Sequence, residues 1–134
     1  MILISSDAKR FVDVGNSEIW QSAYSTVVKR LGLFKRKVPL AIAFMETCSC
    51  SSENALECAR QFNLIRDELS NYPPSKAVYD INDLSKKAPW ENNLSPVVTS
   101  CANMFTTADG KDLFFEIVSI LTYAYYAKAS VSAS

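Results

Sequence analysis

The chain contains no histidine and only three glycines among its 134 residues. Without histidine, the usual general acid–base group and the usual partner of a nucleophilic serine or cysteine are missing. Three glycines are too few for a glycine-rich phosphate loop. The formal net charge is zero, which argues against the basic surface of a general nucleic-acid binder. No stretch supplies the roughly 18 uncharged apolar residues of a membrane span. The leading Met1-Ile2-Leu3-Ile4-Ser5 has neither a basic lead nor the apolar core of a secretory signal. The cytosol is therefore the expected location, and Cys48, Cys50, Cys58 and Cys101 are expected to be reduced thiols. Cys48-Ser49-Cys50 lacks a second closely spaced pair, so neither a metal nor a cofactor is expected.

What remains is an ordinary globular composition, 49% hydrophobic and 21% charged, in a length that suits one domain over residues 1–134. The zero net charge conceals an asymmetry. Residues 1–45 hold seven basic and three acidic groups, a net of +4, and residues 46–85 hold seven acidic and three basic groups, a net of −4. Such a division suits opposite solvated faces, or an acidic face made for a basic partner.

Residues 1–5 and 10–14 have the short apolar or alternating patterns of paired strands. Asn16 or Ser17 can cap a helix whose apolar positions are Ile19, Trp20, Ala23, Tyr24, Val27, Val28 and Leu31. Val38 to Met45 is apolar on both parities and suits a central strand or a short buried helix equally. Ser52 can cap a second long helix ending near Leu69, before Pro73 and Pro74. Its apolar face is Ala55, Leu56, Ala59, Phe62, Ile65 and Leu69. Lys76–Ile81 and Asn103–Thr107 are predicted strands. Thr107 or Asp109 is the predicted cap of a last helix with a wide stripe from Leu113 to Tyr125. Residues 129–134 are small and polar and are predicted to fray. The fold class is thus α+β, a mostly antiparallel sheet of about five strands with three main helices packed on it.

Chemistry is sparse. Asp80 with Asp83, and Asp109 with Asp112, are carboxylate pairs of the kind a small hydrolase uses, but the same spacings arise in caps and turns. The polar stretch 82–93 carries Pro89-Trp90, a large ring in a loop.

Several segments together resemble a bacterial polymorphic-toxin immunity-protein family, the one numbered seventy. They are Asn16-Ser17-Glu18-Ile19-Trp20 through Ser25-Thr26, then Val38-Pro39-Leu40, then Tyr79-Asp80-Ile81-Asn82-Asp83-Leu84-Ser85 with Ala88-Pro89-Trp90, and Thr107-Ala108-Asp109-Gly110-Lys111-Asp112-Leu113. The chain departs from the family at Ala88, where a second proline is usual, at Glu91, where glycine often follows the tryptophan, and at Cys48-Ser49-Cys50. The resemblance implies a non-catalytic inhibitor of the contact-dependent growth inhibition type. Its implied partner is the C-terminal toxic domain of a cognate toxin, bound one-to-one, with no direct contact to nucleic acid or membrane. Many such toxins are nucleases with basic active sites, which an acidic face would complement. On that basis Glu53, Glu57, Asp67, Glu68, Asp80, Asp83, Trp90 and Glu91 are the expected toxin-binding residues, with Trp90 the aromatic anchor. The alternative is a non-enzymatic interaction adaptor or regulatory module.

Overall fold

A computed structural model describes residues 1–90 and 93–134. Strands β1 (Ile2–Ser5) and β2 (Phe11–Asp13) form a hairpin. Helix α1 (Ser17–Leu31) follows, then a 3-10 segment (Gly32–Lys37) and α2 (Pro39–Thr47). A two-residue strand β3 (Ser49–Cys50) leads into α3 (Ser52–Leu69). A long irregular segment with one 3-10 turn (Pro74–Lys76) reaches α4 (Leu113–Ala127), and β4 (Val131–Ala133) ends the chain. The fold is α+β, with four α-helices and one antiparallel sheet, in the order β2-β1-β4-β3, among the described residues. The strand number among the described residues is thus one below the expected five.

Helix α4 is the middle layer. It packs on the buried face of the sheet, which presents Leu3, Val12 and Val131, and on its other side against α3. Burial on two sides explains its wide stripe: Leu113, Phe114, Ile117, Ile120, Leu121 and Ala124 are all buried. Helices α1 and α2 complete the far side of α3. A row of rings links these layers, edge to face at every contact but the tilted Phe62–Phe114 pair. Trp20 meets Phe44 at 6.0 Å between centroids, Phe44 meets Phe62 at 5.9 Å, Phe62 lies 6.4 Å from Phe114, and Phe114 meets Phe105 at 6.1 Å. The indole Nε1–H of Trp20 donates to the Met45 carbonyl at 2.9 Å, so its one polar atom is satisfied inside.

The apolar run from Val38 is helical. Pro39 occupies the first turn of α2, where its missing N–H costs nothing. The next two amides, of Leu40 and Ala41, donate to Oε1 of Gln61 on α3 at 2.8 and 3.1 Å. Gln61, polar in the sequence pattern, is buried for this reason. The caps lie close to the predicted positions. Asn16 accepts from the Glu18 amide at 2.9 Å, Ser51 rather than Ser52 precedes α3, and Asp112 rather than Thr107 or Asp109 caps α4.

Three expectations need correction. Lys76–Ile81 is not a strand, because the Lys76 and Ala77 amides close a 3-10 turn on Pro73 and Pro74, and Val78 and Ile81 bond to side chains of α1, as described below. Asn103–Thr107 makes one isolated bridge, Thr106 to Asp112. Met104 and Phe105 turn into the core there, and the Thr107 hydroxyl accepts the Lys111 amide at 3.0 Å to close a tight turn at Gly110. Residues 129–134 do not fray. Lys128, at φ 55, reverses the chain, and Val131–Ala133 enters the sheet between β1 and β3. The Ser6 amide donates to the Ser130 carbonyl at 2.8 Å, and the Ser134 amide to Ile2 at 2.8 Å. One buried side chain, Val131, with a full set of backbone partners is enough to order a short strand in mid-sheet.

Asp7 ties the β1–β2 turn to α4. Its carboxylate accepts from Ser5 Oγ at 2.6 Å, from the Tyr123 hydroxyl at 2.6 Å and from the Lys9 amide at 3.1 Å. These bonds, that from Ser5 foremost, hold its pKa down at about 2 against an ordinary 3.8. A depressed carboxyl pKa favours the fold above the unfolded value, and this contribution is lost as pH falls from 3.8 towards 2. Asp7→Asn should therefore flatten the acid limb of a urea-stability profile in that window. Deleting residues 130–134 should lower Tm by about 10 °C or more in a circular-dichroism melt, since it removes a mid-sheet strand and the buried Val131. A frayed tail would leave Tm unchanged.

Candidate functional site

The segment after α3 is built on a row of hydroxyls. Ser22, Ser25 and Thr26 sit at i, i+3 and i+4 on α1 and are all buried. The Val78 carbonyl accepts from Ser22 Oγ at 2.9 Å and from Thr26 Oγ1 at 3.2 Å, and the Val78 amide donates to Thr26 Oγ1 at 2.9 Å. The Ile81 amide donates to Ser25 Oγ at 3.1 Å. Further along, Arg30 Nε donates to the Lys76 carbonyl at 2.7 Å, and the Tyr72 hydroxyl donates to the Arg30 carbonyl at 3.1 Å. An irregular segment is thereby fixed along α1 without joining a sheet.

Between this segment and α1 lies a cleft of about 580 Å3. Its apolar lining comes from Val78, Leu84, Leu94 and Met104, with Tyr79 and Trp90. The two rings meet edge to face at 5.6 Å, and Trp90 is half-buried. The Glu18 carboxylate beside Tyr79 pushes the phenol pKa up. Lys29, Arg30, Lys86 and Lys87 also line the cleft, and no carboxylate does so among the described residues.

Asp80 and Asp83 lie in this segment but are engaged in its turns. Asp80 accepts the Asn82 amide at 2.9 Å and pairs with Lys86 at 3.8 Å. Asp83 accepts the Ser85 amide at 3.1 Å and the Ser85 hydroxyl at 2.6 Å, which holds its pKa down. Asp109 and Asp112 are likewise occupied, by the Thr107 hydroxyl and by the cap of α4. Neither carboxylate pair is set up as two free groups facing one pocket. No cluster of three or more potential metal ligands occurs among the described residues. The Cys58 thiol lies beside Cys50 in the interior, and this neighbour together with burial pushes its pKa up.

The other expected residues are on α3. Glu53, Glu57 and Asp67 are exposed and Glu68 is half-buried. Glu57 is neutralised locally, since Arg60 Nε donates to it at 2.8 Å and holds its pKa down. Arg66 lies over the Phe115 ring at 5.5 Å, which sets the end of α3 beside the start of α4. At the opposite end, Ser52 Oγ donates to the Ala124 carbonyl at 3.4 Å. This antiparallel pair also carries large exposed side chains, of which Phe115 and Tyr126 were not singled out by the sequence pattern. Leu56, Phe115, Tyr125 and Tyr126 are 36%, 51%, 39% and 72% exposed, and the Tyr125 and Tyr126 rings meet edge to face at 5.1 Å. Leu56 and Tyr125 were expected in the core. The remaining signal was the excess of apolar positions over one buried face, Phe115 and Tyr126 lying outside the stripe of α4.

The eight expected residues therefore divide. Glu53, Glu57, Asp67 and Glu68 share α3, whereas Asp80, Asp83 and Trp90 belong to the segment that lines the cleft with α1, and no residue of α3 lines it among those described. Glu91 lies outside the described residues.

A family model described as Immunity protein 70 matches residues 5–132. No curated protein and no solved structure matches the chain. No helix among the described residues is long and apolar enough to cross a membrane.

Thr26→Val removes the acceptor of the buried Val78 amide and should cost about 1–3 kcal/mol in urea denaturation. Amide exchange at Val78 and Ile81 should accelerate, while exchange in α3 stays slow.

Proposed function

The chain belongs to the Immunity protein 70 family, and we propose that it neutralises the C-terminal toxic domain of a cognate contact-dependent toxin by binding it one-to-one in the cytoplasm. The family match over residues 5–132 carries this reading. Inhibition is by occlusion, without turnover, nucleic acid or membrane. The absence of histidine from the sequence and the engagement of the carboxylate pairs in caps and turns are consistent with that.

The toxic domain is a nuclease with a basic active site, and the outer face of α3 and α4 meets it. Glu53, Asp67 and Glu68 supply charge for encounter, and Glu57 adds to them once Arg60 turns to the partner. Exposed charges of this kind raise the association rate more than they raise affinity. Affinity comes from the exposed rings, because aromatic side chains dominate interface hot spots.

Calorimetry with the toxic domain encoded beside this chain should give nanomolar one-to-one binding that weakens between low and high salt. Reversing Glu53, Glu57, Asp67 and Glu68 together to Lys should slow association about tenfold or more. Tyr126→Ala should act mainly on the dissociation rate. Unchanged kinetics in both variants would remove the α3–α4 face from the interface. Failure of the unaltered protein to bind would remove the immunity reading itself.

A further inference from the structure

We propose that the cleft between α1 and the Trp90 segment is a second toxin-docking site, of opposite charge to α3, which receives an acidic segment of the toxic domain carrying one large apolar side chain. This rests on the reading of the protein as a toxin inhibitor and adds what that reading does not contain, a basic contact and the chemistry of its occupant.

Three observations carry it. First, the cations converge. Lys29 and Arg30 come from α1, while Lys86 and Lys87 come from the facing segment, so one cleft gathers four basic groups of a chain whose net charge is zero. Of these, Arg30 is held by the Lys76 carbonyl and Lys86 by a 3.8 Å pair with Asp80, whereas Lys29 and Lys87 make no ion pair among the described residues. Second, the lining is apolar and aromatic. Trp90 and Tyr79, with Leu84 and Leu94, offer a slot into which an aromatic or long aliphatic side chain fits, and a half-buried tryptophan is a common interface anchor. Third, the site is held open from beneath. Val78 is pinned by Ser22 and Thr26, so the back of the cleft does not need to be ordered when a partner arrives.

The occupant is a protein segment rather than a small anion. A small-ligand site presents a few fixed polar groups deep in the pocket. Here every buried side-chain polar atom among the described residues already has a partner. Lys29, Lys86 and Lys87 are exposed on flexible stems, an arrangement that suits carboxylates spread along a chain better than one phosphate group.

The test uses the whole protein and the same toxic domain. Lys29→Glu, Lys86→Glu and Lys87→Glu are combined in one variant, all on exposed side chains, with a circular-dichroism melt to verify the fold. Trp90→Ala is the second variant. The charge variant should lose about tenfold to a hundredfold in toxin affinity, and reversing acidic residues of the toxin surface to Lys should restore it. Trp90→Ala should raise the dissociation rate by a comparable factor. If the unaltered protein binds and neither variant changes the affinity, the cleft is not a docking site and the immunity reading stands. If the unaltered protein does not bind, both fall. Inorganic pyrophosphate and ATP are titrated separately into the free protein. Micromolar binding of either that the charge variant abolishes, with toxin affinity unaffected, would assign the cleft to a small anion and overturn the proposal.

Discussion

The row of rings from Trp20 through Phe44 and Phe62 to Phe114 and Phe105 is the constraint on which the rest depends. Each ring comes from a different element: α1, α2, α3, α4 and the segment before α4. Burying an aromatic side chain of this size stabilises by about 1.5–3 kcal/mol, and edge-to-face pairing adds about 0.5–1.5 kcal/mol per pair. Phe62 touches two neighbours in the row, so it fixes the spacing of α3 from both α2 and α4. The sheet is too small to perform this task. Its strands have two to four residues, and the buried side chains of the sheet pack on α4 rather than on a second sheet. The molecule is organised by helix contacts, and the sheet closes one side.

A second constraint, the hydroxyl row of α1, governs the surface. Ser22, Ser25 and Thr26 replace the apolar groups that a buried helix face normally presents. Buried hydroxyls are costly unless bonded, and here they are matched to backbone groups of Val78 and Ile81 that no strand satisfies. The two deficits cancel. The result is a long irregular segment held along a helix, with Trp90 and the lysines carried at its outer side. Small changes in the outer residues leave the anchors untouched. Such a separation allows contact chemistry to change without loss of the fold, as partner specificity requires.

Local patterns made the helices legible. The faces of α1 and α4 followed the 3.6-residue period, and Asn16 capped where it was expected. The corrections arose where a partner distant in sequence satisfies the backbone. Lys76–Ile81 has strand-like residues, yet Val78 and Ile81 bond to a helix more than fifty residues earlier. Val131 looked isolated in a polar tail, yet strands from both ends of the first fifty residues flank it. Gln61 looked like a solvent-facing residue, yet α2 needs its oxygen. The only local hint was the spacing of Ser22, Ser25 and Thr26, three hydroxyls on a buried face that implied a polar partner. The acidic residues were legible as composition but not as geometry. Asp80 and Asp83 are spent in turns, and Arg60 covers Glu57.

The charge asymmetry of the sequence thereby acquires a more specific meaning. Basic groups from α1 and from residues 86–87 gather at the cleft, and acidic groups remain on α3. A partner that matched only one sign would leave the other surface idle. A partner that matched both would be oriented before contact, because a pair of opposite patches fixes direction as well as attraction. The exposed ion pairs themselves contribute little to affinity, about 0–1 kcal/mol each at a solvated surface. Rings lie beside each patch, Phe115 and Tyr126 on α4 and Tyr79 and Trp90 at the cleft. In the proposed complex, charge orients the toxin and aromatic surface holds it.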